Sequence, residues 1–149
     1  MEPRPLEILS EYENIVHFLS SYLESRAGLR VSVAMVTASD HPDHDSEILF
    51  HQQRLGNLAT LVPRSVDLSS NYLLTEQSNI LVSLTSTLGL ENLARGRKTL
   101  MCSTFCAAGF AEKPFTPDWL RRSKDEDAFK EAITRLLGMS RQDFLSTNH

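Results

Sequence analysis

Two periodicities alternate along the chain, a helical spacing of apolar residues and short uninterrupted apolar runs. From Pro5 to Arg26, residues Leu6, Leu9, Ile15, Val16, Phe18, Leu19, Tyr22 and Leu23 recur at helical spacing. Gly28 is placed to stop that helix. Leu29 to Val36, reading LRVSVAMV, is β-branched and apolar, as a strand covered on both faces should be. A polar loop follows from Thr37 to Ser46, then a helix across Glu47 to Leu55 that ends at Gly56-Asn57. Leu58 to Val62 predicts a short strand stopped by Pro63.

The second half repeats the pattern. Asp67 or Ser69 caps a helix through Tyr72, Leu73, Leu74 and Gln77, and Ile80 to Leu84 predicts a buried strand. Thr85-Ser86-Thr87 opens a helix through Leu88, Leu90, Leu93 and Ala94 that Gly96 closes. Lys98 to Cys102 predicts a further strand, and a loop rich in Gly, Pro and aromatic residues spans Ser103 to Trp119. The last helix covers Asp125 to Leu137. Strands separated by roughly ten or more helical residues imply parallel pairing. The expected class is therefore α/β, a Rossmann-like parallel sheet flanked by helices. Ile80 to Leu84 would be its central strand, and Leu29 to Val36 would lie in the same sheet. One domain over residues 1–139 and a C-terminal tail over 140–149 are expected. A helix ahead of the first strand suits the C-terminal part of a longer architecture.

Composition narrows the function classes. The 149 residues carry a formal net charge of −4. This disfavours nucleic acid as a partner, because neutralising a phosphate backbone calls for a basic face. The N-terminus lacks a signal peptide's basic start and apolar core, and no apolar run reaches bilayer length. A cytoplasmic location is the expectation. Cys102 and Cys106 have no second pair to complete a metal site, so two reduced thiols beside a buried strand are expected.

Ligands of open parallel sheets collect at the carboxyl ends of strands. There the chain places Thr85, Ser86 and Thr87, hydroxyl residues at a strand-to-helix turn where unpaired backbone N–H groups and the helix dipole favour an anion. Gly89 offers room for close approach, and Glu91, about a turn on, suits sugar or ribose hydroxyls. Equally, Ser86 or Thr87 is a sufficient helix cap and Glu91 a solvated helix residue. Neither a Walker loop nor a G-x-G-x-x-G turn is present.

On the same rim, Arg64 follows a strand end and suits bidentate phosphate contact. His41 lies in the loop Asp40-His41-Pro42-Asp43-His44-Asp45. That loop gathers metal-ligating residue types, but adjacent loop residues seldom converge on an ion, so no metal site is assigned. A solvated loop or a ligand contact by His41 are the readings it supports. Arg95, Arg97 and Lys98 sit where cations complement a helix C-terminus and read as structural. Trp119, Phe110 and Phe115 suit either an acceptor pocket or the packing of a long loop.

Three stretches carry a family resemblance: Ser69-Ser70-Asn71-Tyr72-Leu73-Leu74, then Ser78-Asn79-Ile80-Leu81-Val82, then Ser86-Thr87-Leu88-Gly89-Leu90-Glu91-Asn92-Leu93-Ala94-Arg95-Gly96-Arg97-Lys98. This run resembles the C-terminal half of GT-B glycosyltransferases, above all the bacterial surface-polysaccharide and capsule biosynthesis proteins. It spans Arg64 to Leu100, and related runs occur in the non-hydrolysing sugar-nucleotide epimerases. The resemblance implies a donor-binding domain in cell-surface carbohydrate biosynthesis, with a nucleotide sugar as partner and no further cofactor. Ser86 and Thr87 would face the phosphate, and Glu91 the ribose or sugar. His41-Pro42 is weakly similar to a His-Pro pair of capsule sugar transferases. The resemblance also implies a separate N-terminal domain that supplies the catalytic base, and peripheral membrane association through the acceptor. Asn92 departs from the pattern, standing where a small residue usually follows the glutamate. An epimerase-like half and a non-catalytic binding module are the alternatives.

Overall fold

The computed structural model describes residues 5–65, 67, 69–84, 86–102 and 125–148. In chain order the elements are α1 (Pro5–Glu24), β1 (Val31–Ala34), α2 (His44–Leu55), a 3-10 turn (Gly56–Leu58), β2 (Ala59–Val62) and α3 (Ser69–Gln77). Then come β3 (Leu81–Ser83), α4 (Thr87–Ala94), β4 (Thr99–Met101), α5 (Glu126–Gly138) and α6 (Arg141–Asn148). The alternation of helix and strand is the expected one, and the molecule is a mixed α/β structure.

The described strands form two two-stranded ladders, both parallel. In the first, Val31 pairs with Ala59 and Ala34 with Val62. In the second, Leu81 pairs with Thr99 and Ser83 with Met101. The expectation of one sheet containing both Leu29 to Val36 and Ile80 to Leu84 is corrected by this pairing. The parallel sense is as expected, but among the described residues no ladder joins β1 or β2 to β3 or β4. By contacts the chain falls into two units, one of residues 1–18 and 79–149, the other of residues 19–78, with one ladder in each.

In the unit of residues 19–78, α2 packs on β2 and α3 on β1. Exposure alternates along β1, with Ser32 and Ala34 exposed and Val31 and Val33 half-buried, and Thr60 is exposed on β2. One face of this ladder is thus open, contrary to the doubly covered strand that the apolar run predicts. The small side chains Ser32 and Ala34 are what make the open face tolerable there. Helix α2 begins earlier than expected, at His44, with Asp45 and Glu47 in a first turn that favours acidic residues. Gly56 closes it at a φ of 55°, a conformation that costs glycine no Cβ clash.

In the other unit, α4 packs on both β3 and β4. Thr99, Leu100 and Met101 are all buried, whereas Leu81, Val82 and Ser83 are half-buried. The core gathers Leu93, Leu100, Met101, Phe129, Ile133, Leu136 and Phe144, and Phe18 meets Phe129 with ring centroids 5.8 Å apart. The apolar stripe of α5 starts behind Asp125, whose Oδ1 accepts from the Ala128 N–H at 2.9 Å. Residues read as a C-terminal tail fold as α6, which carries Phe144 at 0% exposure. No described helix is long and apolar enough to cross a membrane. Cys102 is a buried free thiol, and Cys106 lies outside the described residues.

Candidate functional sites

The β3–α4 turn holds most of the residues singled out in the sequence. Ser86 caps α4 in extended conformation, with its Oγ accepting from the Gly89 N–H at 3.1 Å. The Ser86 Oγ also lies 2.7 Å from the Ser83 Oγ at the carboxyl end of β3. Ser86 is therefore a cap, locked to the strand it follows. Thr87 and Glu91 are exposed on α4, and Thr85 lies outside the described residues. The backbone N–H groups of Thr87 and Leu88, first and second in the helix, have no partner among the described residues. This leaves two donors and a threonine hydroxyl at the positive end of the helix dipole, one turn ahead of a carboxylate.

Gly89 is buried, and the room it provides is filled by the chain itself. A Cβ there would meet the Met101 Sδ at 2.7 Å and the Ser83 Cβ and Oγ at 3.2 Å each. The expected close approach is thus that of α4 to its own ladder. Asn92, which stands where a small residue was expected, also packs against the ladder. It is buried, and its Nδ2 donates to the Thr99 Oγ1 at 2.8 Å, pinning α4 to β4.

Of the basic residues beyond α4, Lys98 is structural, though not as the dipole argument places it. Lys98 caps another helix: its Nζ donates to the Leu136 and Met139 carbonyls at 2.8 Å each, at the end of α5. Burial pushes its ammonium pKa down. Arg141 completes the exchange, donating from its guanidinium to the Gly96 carbonyl at 3.2 Å and to the Arg95 carbonyl at 2.7 Å.

The remaining candidates follow the two strands of the β1–β2 ladder. The Arg64 N–H donates to the Thr37 carbonyl at 3.1 Å, joining the residues that follow the two strands. The Arg64 side chain is exposed. His41 is exposed too, its Nδ1 accepting from the Asp43 N–H at 3.1 Å. Among the described residues, the single rim expected to carry Arg64, His41 and Ser86 is not formed by one sheet: Arg64 and His41 follow the strands of this ladder, and Ser86 follows a strand of the other.

Sequence reasoning missed the centre of this region, which is Glu47. One of its carboxylate oxygens accepts from the Val36 N–H at 2.8 Å. The other accepts from the Thr37 N–H at 3.0 Å and from the Thr37 hydroxyl at 2.5 Å. The same hydroxyl lies 3.2 Å from the His44 Nδ1. His51, one turn along α2 from Glu47 and 1% exposed, brings its Nε2 to 3.9 Å from the carboxylate. Burial lowers the His51 pKa, Glu47 opposes that shift, and Arg54 adds to it. The usable signal was an acidic residue in the first turn of a helix that follows a strand. It becomes readable only once that helix is known to begin at His44. Among the described residues no three His, Cys, Asp or Glu side chains form a metal-binding group.

No curated protein and no solved structure matches the chain. A family model described as "putative O-antigen biosynthesis protein" matches residues 7–134, most of the sequence, and the chain belongs to that family.

Proposed function

We propose that this chain serves O-antigen biosynthesis as the nucleotide-sugar-binding domain of a GT-B-like glycosyltransferase. The observation that carries the reading is the start of α4. At the carboxyl end of a parallel ladder, two consecutive N–H groups and the Thr87 hydroxyl stand open for a phosphate, with Glu91 exposed a turn away. The family supports the setting, since an O-antigen is a surface polysaccharide assembled from activated sugars. In this reading the donor's phosphates seat on the helix start, which stabilises the negative charge of the leaving group. Glu91 accepts from a sugar or ribose diol. His41 and Arg64, which belong to the other unit, are candidate ligand contacts of that unit taken by itself. The Rossmann-like donor fold and the partner domain that supplies the base belong to the same proposal.

The engagement of the Ser86 hydroxyl by Ser83 and Gly89 favours a second reading, a helix cap without a ligand. Thr87 separates the two, because it makes no capping bond. Isothermal titration of nucleoside diphosphates and nucleotide sugars, with urea unfolding of the same variants, provides the measurement. Ser86→Ala should lose about 1 kcal/mol of stability as a cap. Thr87→Ala should keep its stability and bind nucleotide about 10-fold more weakly, the value of roughly one hydrogen bond to a charged group. Glu91→Gln should weaken nucleotide sugars more than inorganic pyrophosphate. Unchanged affinities in Thr87→Ala and Glu91→Gln would leave only the cap.

A further inference from the structure

The hydrogen bonds around Glu47 decide the protonation pattern of a histidine outside the α4 site. A threonine hydroxyl has one proton to give, and an ionised carboxylate only accepts. The Thr37 Oγ1 lies 2.5 Å from the Glu47 carboxylate, so its proton points there. The same oxygen must then accept from the His44 Nδ1, 3.2 Å away. With Nδ1 carrying the hydrogen, the neutral His44 ring has its lone pair on Nε2. Nε2 has no partner among the described residues, and the ring is half-buried.

The scaffold of this relay is fixed. Glu47 is held by the consecutive N–H groups of Val36 and Thr37, which follow β1. His44 is the first residue of α2, on the element that also carries Glu47. A carboxylate, a hydroxyl and an imidazole thus stand in line at the carboxyl end of a parallel strand. The first two groups orient the third and leave the lone pair on its far nitrogen. This is the arrangement by which a histidine is kept as a proton acceptor.

The geometry points to His44 Nε2 as the proton-accepting contact for a hydroxyl-bearing ligand, a neutral sugar, with Thr37 and Glu47 as positioning residues. Charge selects the ligand class. Asp40, Asp43 and Asp45 are exposed in the chain flanking His44 and outnumber Arg64, the exposed cation that follows β2, so a neutral polyol suits this end of the ladder better than an anion. The inference stands on residues of the β1–β2 unit alone and does not depend on what α4 binds.

Nitrogen-15 NMR of the histidine rings of the whole chain tests it. In the wild type, His44 should show the Nδ1–H tautomer. Thr37→Ser, which keeps the hydroxyl, should preserve that tautomer, and Thr37→Val and Glu47→Gln should shift it toward Nε2–H. Titration with D-galactose or N-acetyl-D-glucosamine should then move the Nε2 resonance of the wild type and of Thr37→Ser. The apparent affinity should fall about tenfold in Thr37→Val. His44→Gln, checked for folding by circular dichroism, should lose the sugar-dependent shifts of the neighbouring amides. An Nε2–H tautomer in the wild type would overturn the relay. A response to inorganic phosphate and not to sugar, or to neither, would overturn the ligand.

Discussion

Two glycines lie close to side chains for different reasons. At Gly89 the backbone is ordinary helix and the constraint is space alone, since a methyl group would press on Met101 and Ser83. Methionine yields readily, whereas Ser83 is fixed in a strand and bonded to Ser86. Gly89→Ala should cost about 1–3 kcal/mol, the range of a one-methyl overpacking, despite alanine's better helix propensity. At Gly96 two constraints coincide. Its φ of 68° is left-handed, and a Cβ there would collide with the Leu145 side chain. Gly96→Ala should therefore be the more damaging, with about 1–2 kcal/mol from the backbone before any collision is counted. Urea midpoints of the two variants check the order. Trimming Leu145 to alanine should rescue part of the loss in Gly96→Ala and none in Gly89→Ala. The role of Gly96 as a stop was legible in the sequence, because glycine after a periodic apolar run is a known helix end. That of Gly89 was not, because the atoms it makes room for come from strands before and after it.

At the scale of elements, Lys98 and Arg141 exchange places. Each follows one helix in sequence and caps the other, so the ends of α4 and α5 are tied by two cations on carbonyls. Lys98→Met keeps the aliphatic stem and removes both bonds, with an expected loss of about 1.5–3 kcal/mol. Arg141→Met should cost less, since its shorter bond lies on an exposed group. The two sites adjoin, and a double-mutant cycle should return a coupling above about 0.5 kcal/mol; strict additivity would mean that the caps act separately. The order of helices and strands, and their parallel sense, follows from periodicity and glycine punctuation, and so was readable. Helix α6 escaped because its apolar content is only Phe144 and Leu145. Its start was nonetheless written in Ser140-Arg141-Gln142-Asp143, a capping box: the Ser140 Oγ accepts from the Asp143 N–H at 3.0 Å and donates to its carboxylate at 2.7 Å. The pairing of the strands into two ladders was not readable, since β1 and β3 carry the same kind of short apolar run and nothing local names the partner.

For the molecule as a whole, the hydrogen-bonded network at the end of β1 implies a pH dependence of stability. His51 is buried beside Glu47, and burial, the largest influence, lowers its pKa below the ordinary value of 6.5. Between that value and the lowered one, the unfolded chain binds a proton that the folded chain does not. Stability contributed by the neutral ring is therefore complete above about pH 6.5, falls as the pH drops toward the folded pKa, and levels off below it. Glu47 reduces the depression, so Glu47→Gln should widen the window toward acid as well as releasing the N–H groups of Val36 and Thr37. His51→Leu removes the titration while keeping a buried side chain of similar bulk, and should flatten the slope below about pH 6.5. Urea unfolding of the wild type and both variants across that range provides the comparison. A wild-type slope that survives in His51→Leu would move the origin to another group. A slope lost in His51→Leu and extended toward acid in Glu47→Gln would establish the pair as the molecule's acid-sensitive point. Hydrogen exchange then locates the change: with acidification, protection should fall first in β1 and α2, because the bonds from Glu47 tie the end of one to the start of the other.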